Sequence, residues 1–192
     1  QKNPQYWKIR SRGDLSALRK EQGNPHVTGV LPIALGDATR IVQALLPAGK
    51  EYVTLMHVHK EVEEKKIRNV LNECIGTISQ LPPVKSAVKR QMRQRKVYYI
   101  QIIDVQKQDV LFRIGCQGGT YIRKFAHDVG QKLKVGAHMT QLVRTKAGPF
   151  TDKEYVSLQD LKDAYEFWKQ GDEKHIRRTI MPFECAVDHL KK

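Results

Sequence analysis

Basic side chains crowd one stretch of this chain, Gln80–Tyr99, which we call the basic segment. No Asp or Glu occurs between Glu73 and Asp104, whereas six Lys and Arg residues do: Lys85, Lys89, Arg90, Arg93, Arg95 and Lys96. Charges of one sign repel one another, so the segment must face solvent or a polyanion whose counterions it displaces. Both arrangements are open, but Tyr98 and Tyr99 at its end favour nucleic acid, because aromatic rings stack on bases.

The charge of the whole chain indicates the same class of partner. Its 192 residues contain 34 Lys and Arg against 20 Asp and Glu, a formal net charge of +14. Such an excess is typical of proteins that bind RNA or DNA. The hydrophobic fraction of 40% predicts a folded domain rather than a disordered tail. Ribosomal and chromatin-like proteins share this charge, so it predicts a partner and not an activity.

Several other classes of protein are excluded by simple patterns. No apolar run approaches the ~20 residues that a bilayer span requires, so we expect no membrane association. Cys74, Cys116 and Cys185 are odd in number and far apart, which argues against a disulfide framework or a cysteine zinc site and favours a reducing compartment. His57 and His59 share one face of a predicted strand, but without a third ligand nearby in the sequence we predict no metal.

Hydrophobic periodicity predicts an α+β domain with a mixed, mostly antiparallel sheet flanked by helices. Asp37 is predicted to cap a short helix. Ser157 and Asp160 resemble a capping box that opens a later helix, with Trp168 facing inward. The main predicted elements are strands at Lys50–His59, Lys96–Val105 and Asp109–Cys116, the last two forming a hairpin, and helices at Val62–Ile75 and from Thr120.

Five sequence blocks occur in order along the chain. They are NPHVTGVLPIALGDATR (24–40), AGKEYV (48–53), QLPPVKSAVKRQMRQRK (80–96), GGTYIRKFAHDVG (118–130) and GAHMTQLVRTKAGPF (136–150). Together they closely resemble the pseudouridine synthase domain of the dyskerin family, the archaeal and eukaryotic relatives of the bacterial TruB enzymes. The resemblance implies the pseudouridine synthase fold, in which the basic segment would form a thumb-like loop that clamps substrate RNA.

The resemblance also implies an activity. Pseudouridine synthases are RNA isomerases that break the glycosidic bond of a uridine, rotate the base and rejoin it through carbon, without a cofactor. In the dyskerin family this chemistry modifies rRNA during ribosome biogenesis, within a box H/ACA ribonucleoprotein. The implied partners are a guide RNA, the substrate rRNA and small accessory proteins, one of which has a zinc ribbon. Whether tRNA is also a substrate stays open. The blocks look archaeal, which implies the cytoplasm; a eukaryotic member would be nucleolar.

Four positions match the family's pocket residues. Tyr52 matches the tyrosine that packs against the flipped base. Tyr121 and Arg123 fall in the TYIR motif, where the tyrosine shapes the pocket and the arginine pairs with the catalytic aspartate. Leu142 matches an apolar residue that lines the pocket. The basic residues Lys85, Lys89, Arg90, Arg93, Arg95 and Lys96 would mostly contact phosphates, which gives affinity without sequence choice.

The position of the catalytic aspartate departs from the family. Asn24 stands there, one residue before Pro25, and the Gly-Thr-Leu that precedes the aspartate in the family is missing. An amide cannot carry the negative charge of a carboxylate or act as its base or nucleophile. The chain as written is therefore expected to be inactive. Asn24 could be the native residue or a substitution. Alternatively, about forty residues that the family has at this point could be omitted near Gly23, which would bring Asn24 to the catalytic position by chance.

The resemblance divides the chain into an incomplete N-terminal lead (1–23) and the catalytic domain (24–192), with the family's PUA domain expected to be absent. Our leading hypothesis is an RNA-guided pseudouridine synthase. The first alternative is an RNA-binding scaffold with the same fold and no activity, because of Asn24. A generic basic ribosome-associated protein is the weaker alternative, and it predicts that replacing Tyr52 or Arg123 leaves RNA-dependent functions unchanged.

Overall fold

The computed structural model describes residues 6–10, 27–82, 91–153, 155–182 and 184–187. The chain forms two compact units. The inner unit is one continuous segment, Gly49–Val143, and the outer unit draws on the segments before and after it. In the described parts, no helix is long and apolar enough to cross a membrane.

The inner unit is a sheet with two helices packed on it. Its elements are β4 (Lys50–Val58), α2 (Glu64–Glu73), β5 (Gly76–Gln80), β6 (Arg93–Gln106), β7 (Asp109–Cys116), α3 (Ile122–Leu133) and β8 (Ala137–Ala147), the last of which continues into the outer unit. The strands follow the order β8-β4-β7-β6-β5, and the β4–β7, β7–β6 and β6–β5 pairs are antiparallel.

Alternation along the strands directs one apolar face to the helices. On β4, Thr54, Met56 and Val58 are buried while the residues between them are half-buried, as expected for a pleated strand with one face on a core. Phe112 of β7 and Phe125 of α3 meet in this core, with ring centroids 6.1 Å apart. Each such buried side chain contributes roughly 1.5–3 kcal/mol, so the rings anchor α3 on the sheet.

A tight turn joins α3 to β8. The helix ends at Lys134, whose φ of 62° is left-handed. Gly130 then accepts hydrogen bonds at its C=O from the N–H groups of Val135 (3.3 Å) and Gly136 (3.0 Å). These bonds satisfy a carbonyl at the end of the helix and fold the chain back over Gly130.

The outer unit contains a small antiparallel sheet and its own core. Strand β1 (Tyr6–Arg10) lies between β3 (Leu31–Ala34) and β10 (Met181–Pro182). A buried cluster contains Val30, Ala38, Ala147, Phe150 and Ala186. The remaining elements are β2 (Val27–Gly29), a 3-10 helix (Gly36–Ile41), α1 (Val42–Leu45), β9 (Phe150–Thr151), α4 (Leu158–Lys169), α5 (Lys174–Thr179) and α6 (Glu184–Val187).

The α+β class, with a mixed sheet flanked by helices, is confirmed, as is the capping box at Ser157 and Asp160. Two details were wrong. Asp37 lies in the first turn of the 3-10 helix and Leu35 occupies the N-cap, without a side-chain bond. Trp168 is 46% exposed because it lies on the solvent side of α4, with its ring 5.6 Å from that of Tyr165. The division at residue 23 remains a prediction.

Candidate active site

Tyr52 and Leu142 lie on neighbouring strands of the inner unit. Tyr52 is half-buried on β4 and pairs with Ile114 of β7. Two residues further along β4, the Thr54 hydroxyl donates to the C=O of Gln141 on β8, at 2.8 Å. Since Gln141 directly precedes Leu142, this bond holds Leu142 beside the part of β4 that carries Tyr52. Both side chains pack against the main core.

Tyr121 and Arg123 begin the helix that packs on the same core. Tyr121 is the N-cap of α3, with extended backbone (φ −93°, ψ 102°), and the next residue, Ile122, is buried. Arg123 lies exposed in the first turn. The free N–H groups and dipole of a helix N-terminus favour anions, and the guanidinium adds a full positive charge there. This end of α3 therefore suits a negatively charged group such as an RNA phosphate or a carboxylate.

Strand β6 holds the loop that leads into α3. The N–H of Gln117 donates to the C=O of Lys96 at 2.8 Å, and the N–H of Lys96 donates to Oε1 of Gln117 at 3.2 Å. Arg95 donates from Nε to the C=O of Gly119 at 3.2 Å. Gly119 has a φ of +82°, a backbone conformation that residues other than glycine rarely adopt. The glycine in the GGTYIR block thus serves a left-handed turn under the Arg95 guanidinium.

Gln80 is a residue near the candidate site that no motif predicted. This residue ends β5 and is only 2% exposed. Its Oε1 accepts from the N–H of Tyr121 at 3.1 Å, and its Nε2 donates to the C=O of Tyr121 at 3.2 Å. The available signal was a polar residue at the inward end of a short strand, directly before Leu81 and Pro82.

The described basic residues of the basic segment lie on β6. Lys96 is exposed, while Arg93 and Arg95 are half-buried. The Nε of Arg93 is buried, and no residue in the described part of the chain accepts a hydrogen bond from it. Lys85, Lys89 and Arg90 fall outside the described residues. Asn24, at the catalytic position, also falls outside the described residues.

A second polar cluster lies on the other side of β4, because adjacent residues of a strand point to opposite faces. The hydroxyl of Tyr99 donates to Glu51, the neighbour of Tyr52, and Arg113 places Nη1 3.8 Å from the same carboxylate. Partial burial and the bond to Glu51 raise the pKa of Tyr99 to about 12. The phenol is therefore protonated at neutral pH and acts as a hydrogen-bond donor.

His57 of β4 and His59, which directly follows this strand, lie close to the ring of His138. The Nε2 of His59 lies 2.9 Å from Nδ1 of His138 on β8, and His57 pairs with Asp109 at 2.7 Å. Across the described ranges, no group of three or more His, Cys, Asp or Glu residues could hold a metal ion.

Comparison with known proteins accounts for both halves of the chain. Residues 24–122 match the family described as TruB family pseudouridylate synthase (N terminal domain), and residues 123–188 match the tRNA pseudouridylate synthase B C-terminal domain. The chain is 55% identical over 170 residues to a Methanopyrus kandleri protein named "Probable tRNA pseudouridine synthase B", covering 88% of this chain and 50% of that protein. A Pyrococcus abyssi protein of the same name is 58% identical over 171 residues, with 88% and 51% covered. The chain thus spans about half the length of these relatives.

Solved structures show the same fold. A chain of "a Cbf5-Nop10-Gar1 Complex" superposes with a TM-score of 0.84 at 47% identity, covering 96% of this chain and 62% of that one. A chain from an "H/ACA RNP bound to a substrate RNA containing 2'-deoxyuridine" gives 0.81 at 43% identity, with 96% and 61% covered. The fold is that of RNA-modifying isomerases. The chain belongs to the TruB family of pseudouridine synthases, and the resemblance seen in its sequence blocks is confirmed.

Proposed function

We propose that this chain is the catalytic part of an RNA-guided pseudouridine synthase that modifies rRNA within an H/ACA particle. The observation that carries the proposal is that Tyr52 and Leu142 pack against the main core, and that the helix on this core has Tyr121 as its N-cap and Arg123 exposed in its first turn. The net charge of +14 suits an RNA partner. The likeness to chains from particles containing Nop10, Gar1 and substrate RNA supports guide RNA, rRNA and small accessory proteins as partners.

The isomerisation needs no co-reactant. The N1–C1′ bond of uridine breaks, a C5–C1′ bond forms, C5 loses its proton and N1 gains one. The base must leave its stack to be turned over, and an aromatic side chain such as Tyr52 offers a surface against which it can lie. Arg123 supplies positive charge for a catalytic carboxylate or a phosphate.

Release of the C5 proton gives a direct assay. The chain is assembled with guide RNA and accessory proteins and given rRNA fragments tritiated at uridine C5. In a chain that carries Asn24→Asp, which restores the carboxylate at the catalytic position, we expect tritium release that depends on the guide. Release should fall at least about 100-fold when Tyr52→Ala or Arg123→Ala is added, the scale on which a positioned catalytic group contributes. Arg68→Ala is the charge-matched control, because Arg68 lies exposed on α2 in an ion pair with Glu64. Unchanged release in both site variants would contradict the proposal.

A tRNA substrate is the second candidate, because the archaeal relatives are named "Probable tRNA pseudouridine synthase B". The same assay with tritiated tRNA and no guide separates the two. Tritium release from tRNA alone would favour this candidate, and release only with a guide would favour the H/ACA particle.

The third candidate is an inactive RNA-binding scaffold, favoured by the amide at Asn24. It predicts RNA binding without tritium release from any substrate. Asn24→Asp then distinguishes two histories: an intact pocket regains turnover when the carboxylate returns, whereas a collapsed pocket stays silent.

A further inference from the structure

Both polar atoms of the Gln80 side-chain amide form hydrogen bonds with the backbone of a single residue, Tyr121. Its Oε1 accepts from the N–H of Tyr121 and its Nε2 donates to the C=O of Tyr121, at 3.1 and 3.2 Å. A buried amide is costly unless it is hydrogen-bonded, and Gln80 is 2% exposed. The two bonds therefore satisfy the buried amide and hold the Gln80 side chain against the Tyr121 backbone.

These two bonds determine the direction of the Tyr121 side chain. The N–H belongs to the peptide plane before the Tyr121 Cα and the C=O to the plane after it. Holding both planes restricts φ and ψ, and with them the direction of the Cα–Cβ bond. Tyr121 has no side-chain cap of its own, and its C=O already accepts the first helical bond, from the N–H of Phe125 at 2.9 Å. Gln80 thus supplies an orientation that the helix alone does not.

Gln80 also connects the site to the basic segment. It is the last residue of β5 and the first of the basic segment, and its register partner across the sheet is Arg93. Two residues on from Arg93, Arg95 holds the C=O of Gly119. The loop before α3 is therefore hydrogen-bonded by side chains from two neighbouring strands, Gln80 of β5 and Arg95 of β6.

We propose that Gln80 is a positioning residue, which orients Tyr121 toward the target uridine. This inference rests on the proposed function, since it assumes that Tyr121 shapes the uridine pocket. Gln80 itself is buried and acts only through the Tyr121 backbone.

The test compares binding to a guide–target RNA pair with either uridine or an abasic nucleotide at the target position. Stacking on an aromatic ring is worth roughly 5- to 150-fold per base, so the wild-type chain should prefer the uridine RNA by a factor in this range. Gln80→Met keeps the length and burial of the side chain and removes both hydrogen bonds. We expect it to reduce the uridine preference several-fold, since Tyr52 still offers its ring while Tyr121 is misplaced, and its affinity for the abasic RNA should stay within about twofold of wild type.

Gln80→Glu provides a rescue. A protonated carboxyl has one donor and one acceptor, as the amide has, whereas the carboxylate can only accept. Burial favours the protonated form. We expect the uridine preference of Gln80→Glu to be reduced at pH 8 and recovered toward pH 5, relative to wild type at the same pH. Gln80→Met should show no such recovery.

Val70→Ala is the stability control, because Val70 is buried in the same core on α2 and its side chain has no polar atom that could bond to Tyr121. It should lower the melting temperature and leave the uridine preference intact. The inference is overturned if Gln80→Met keeps the wild-type preference, or if it weakens both RNAs equally. A wild-type chain without any uridine preference would refute the proposed function, and the role of Gln80 with it.

Discussion

Replacing Gly130 by Ala sets two effects of opposite sign against each other. Gly130 lies within α3, where Ala is favoured over Gly by about 1 kcal/mol. A Cβ there, however, would lie 2.0 Å from the amide nitrogen of Ala137 and 2.5 Å from the carbonyl carbon of Gly136. Ordinary contact starts near 3.4 Å, so the backbone entering β8 would have to move by about 1.4 Å.

That movement costs more than the helix gains. Overpacking against a core costs roughly 1–3 kcal/mol, and shifting Gly136 weakens its hydrogen bond to the C=O of Gly130, worth about 1 kcal/mol. After subtracting the gain in helix propensity, we expect Gly130→Ala to lower the free energy of unfolding by about 1–3 kcal/mol. For a chain of this size, that lowers the melting temperature by roughly 2–12 °C.

Urea and thermal unfolding followed by circular dichroism measure this change. The control is Gly36→Ala, since Gly36 has a φ of +57° and no atom of the described residues lies within 4 Å of the added Cβ. It should cost only the strain of the left-handed backbone, about 1–2 kcal/mol, with no displacement of neighbours. A Gly130→Ala variant as stable as wild type, or more stable, would refute the reasoning, because it would mean that the turn between α3 and β8 yields freely.

Three further predictions concern other parts of the chain. Because the pKa of Tyr99 is raised from 10.0 to about 12, the folded state retains its proton longer than the unfolded state; the stability that this supplies is complete below pH 10 and lost as the pH rises through 12. Absorbance titration at alkaline pH should show a tyrosine with a midpoint near 12 that is missing in Tyr99→Phe. Ser157→Ala removes the capping box of α4 and should lower the free energy of urea unfolding by about 1 kcal/mol. A decrease of less than about 0.3 kcal/mol would show that the cap is redundant. Arg93→Gln with Arg95→Gln should reduce the salt dependence of RNA binding by about one unit per lost phosphate contact, with Arg68→Gln unchanged, and an equal slope in both would indicate a solvated face.

The sequence predicted the class of fold and the family because those depend on local patterns and ordered motifs. Alternation along β4 and the Ser157 capping box depend on neighbours in the chain, and both were confirmed. Strand β1 was not predicted: its five residues show no clean alternation, and its partners β3 and β10 lie far along the chain. The prediction that Trp168 faces inward was wrong, because helical spacing identifies a face of α4 but does not tell whether a core covers that face.

Within the candidate site, motifs identified residues that match family positions, but they did not identify Gln80, which contacts the backbone of Tyr121. Tyr52, Tyr121, Arg123 and Leu142 were named from motifs, and their roles remain predictions. The bonds of Gln80 to Tyr121 join residues 41 positions apart. Periodicity and motif spacing carry no information on such a pairing, because it depends on where β5 lies relative to α3.

The arrangement of the two units has a consequence for synthesis on the ribosome. The inner unit is one uninterrupted segment, so all of its contacts are available once Val143 has left the exit tunnel. The outer unit must wait, because the register that pairs Tyr6 with Pro182 joins the first described strand to the last. Until then the edge of β1 that faces β10 has no partner from this sheet, and exposed strand edges recruit other chains. Nascent chains that stall between these two points would carry a completed core for the Tyr52 and Tyr121 site while still presenting an open edge, and that is the stage at which a chaperone would be needed most.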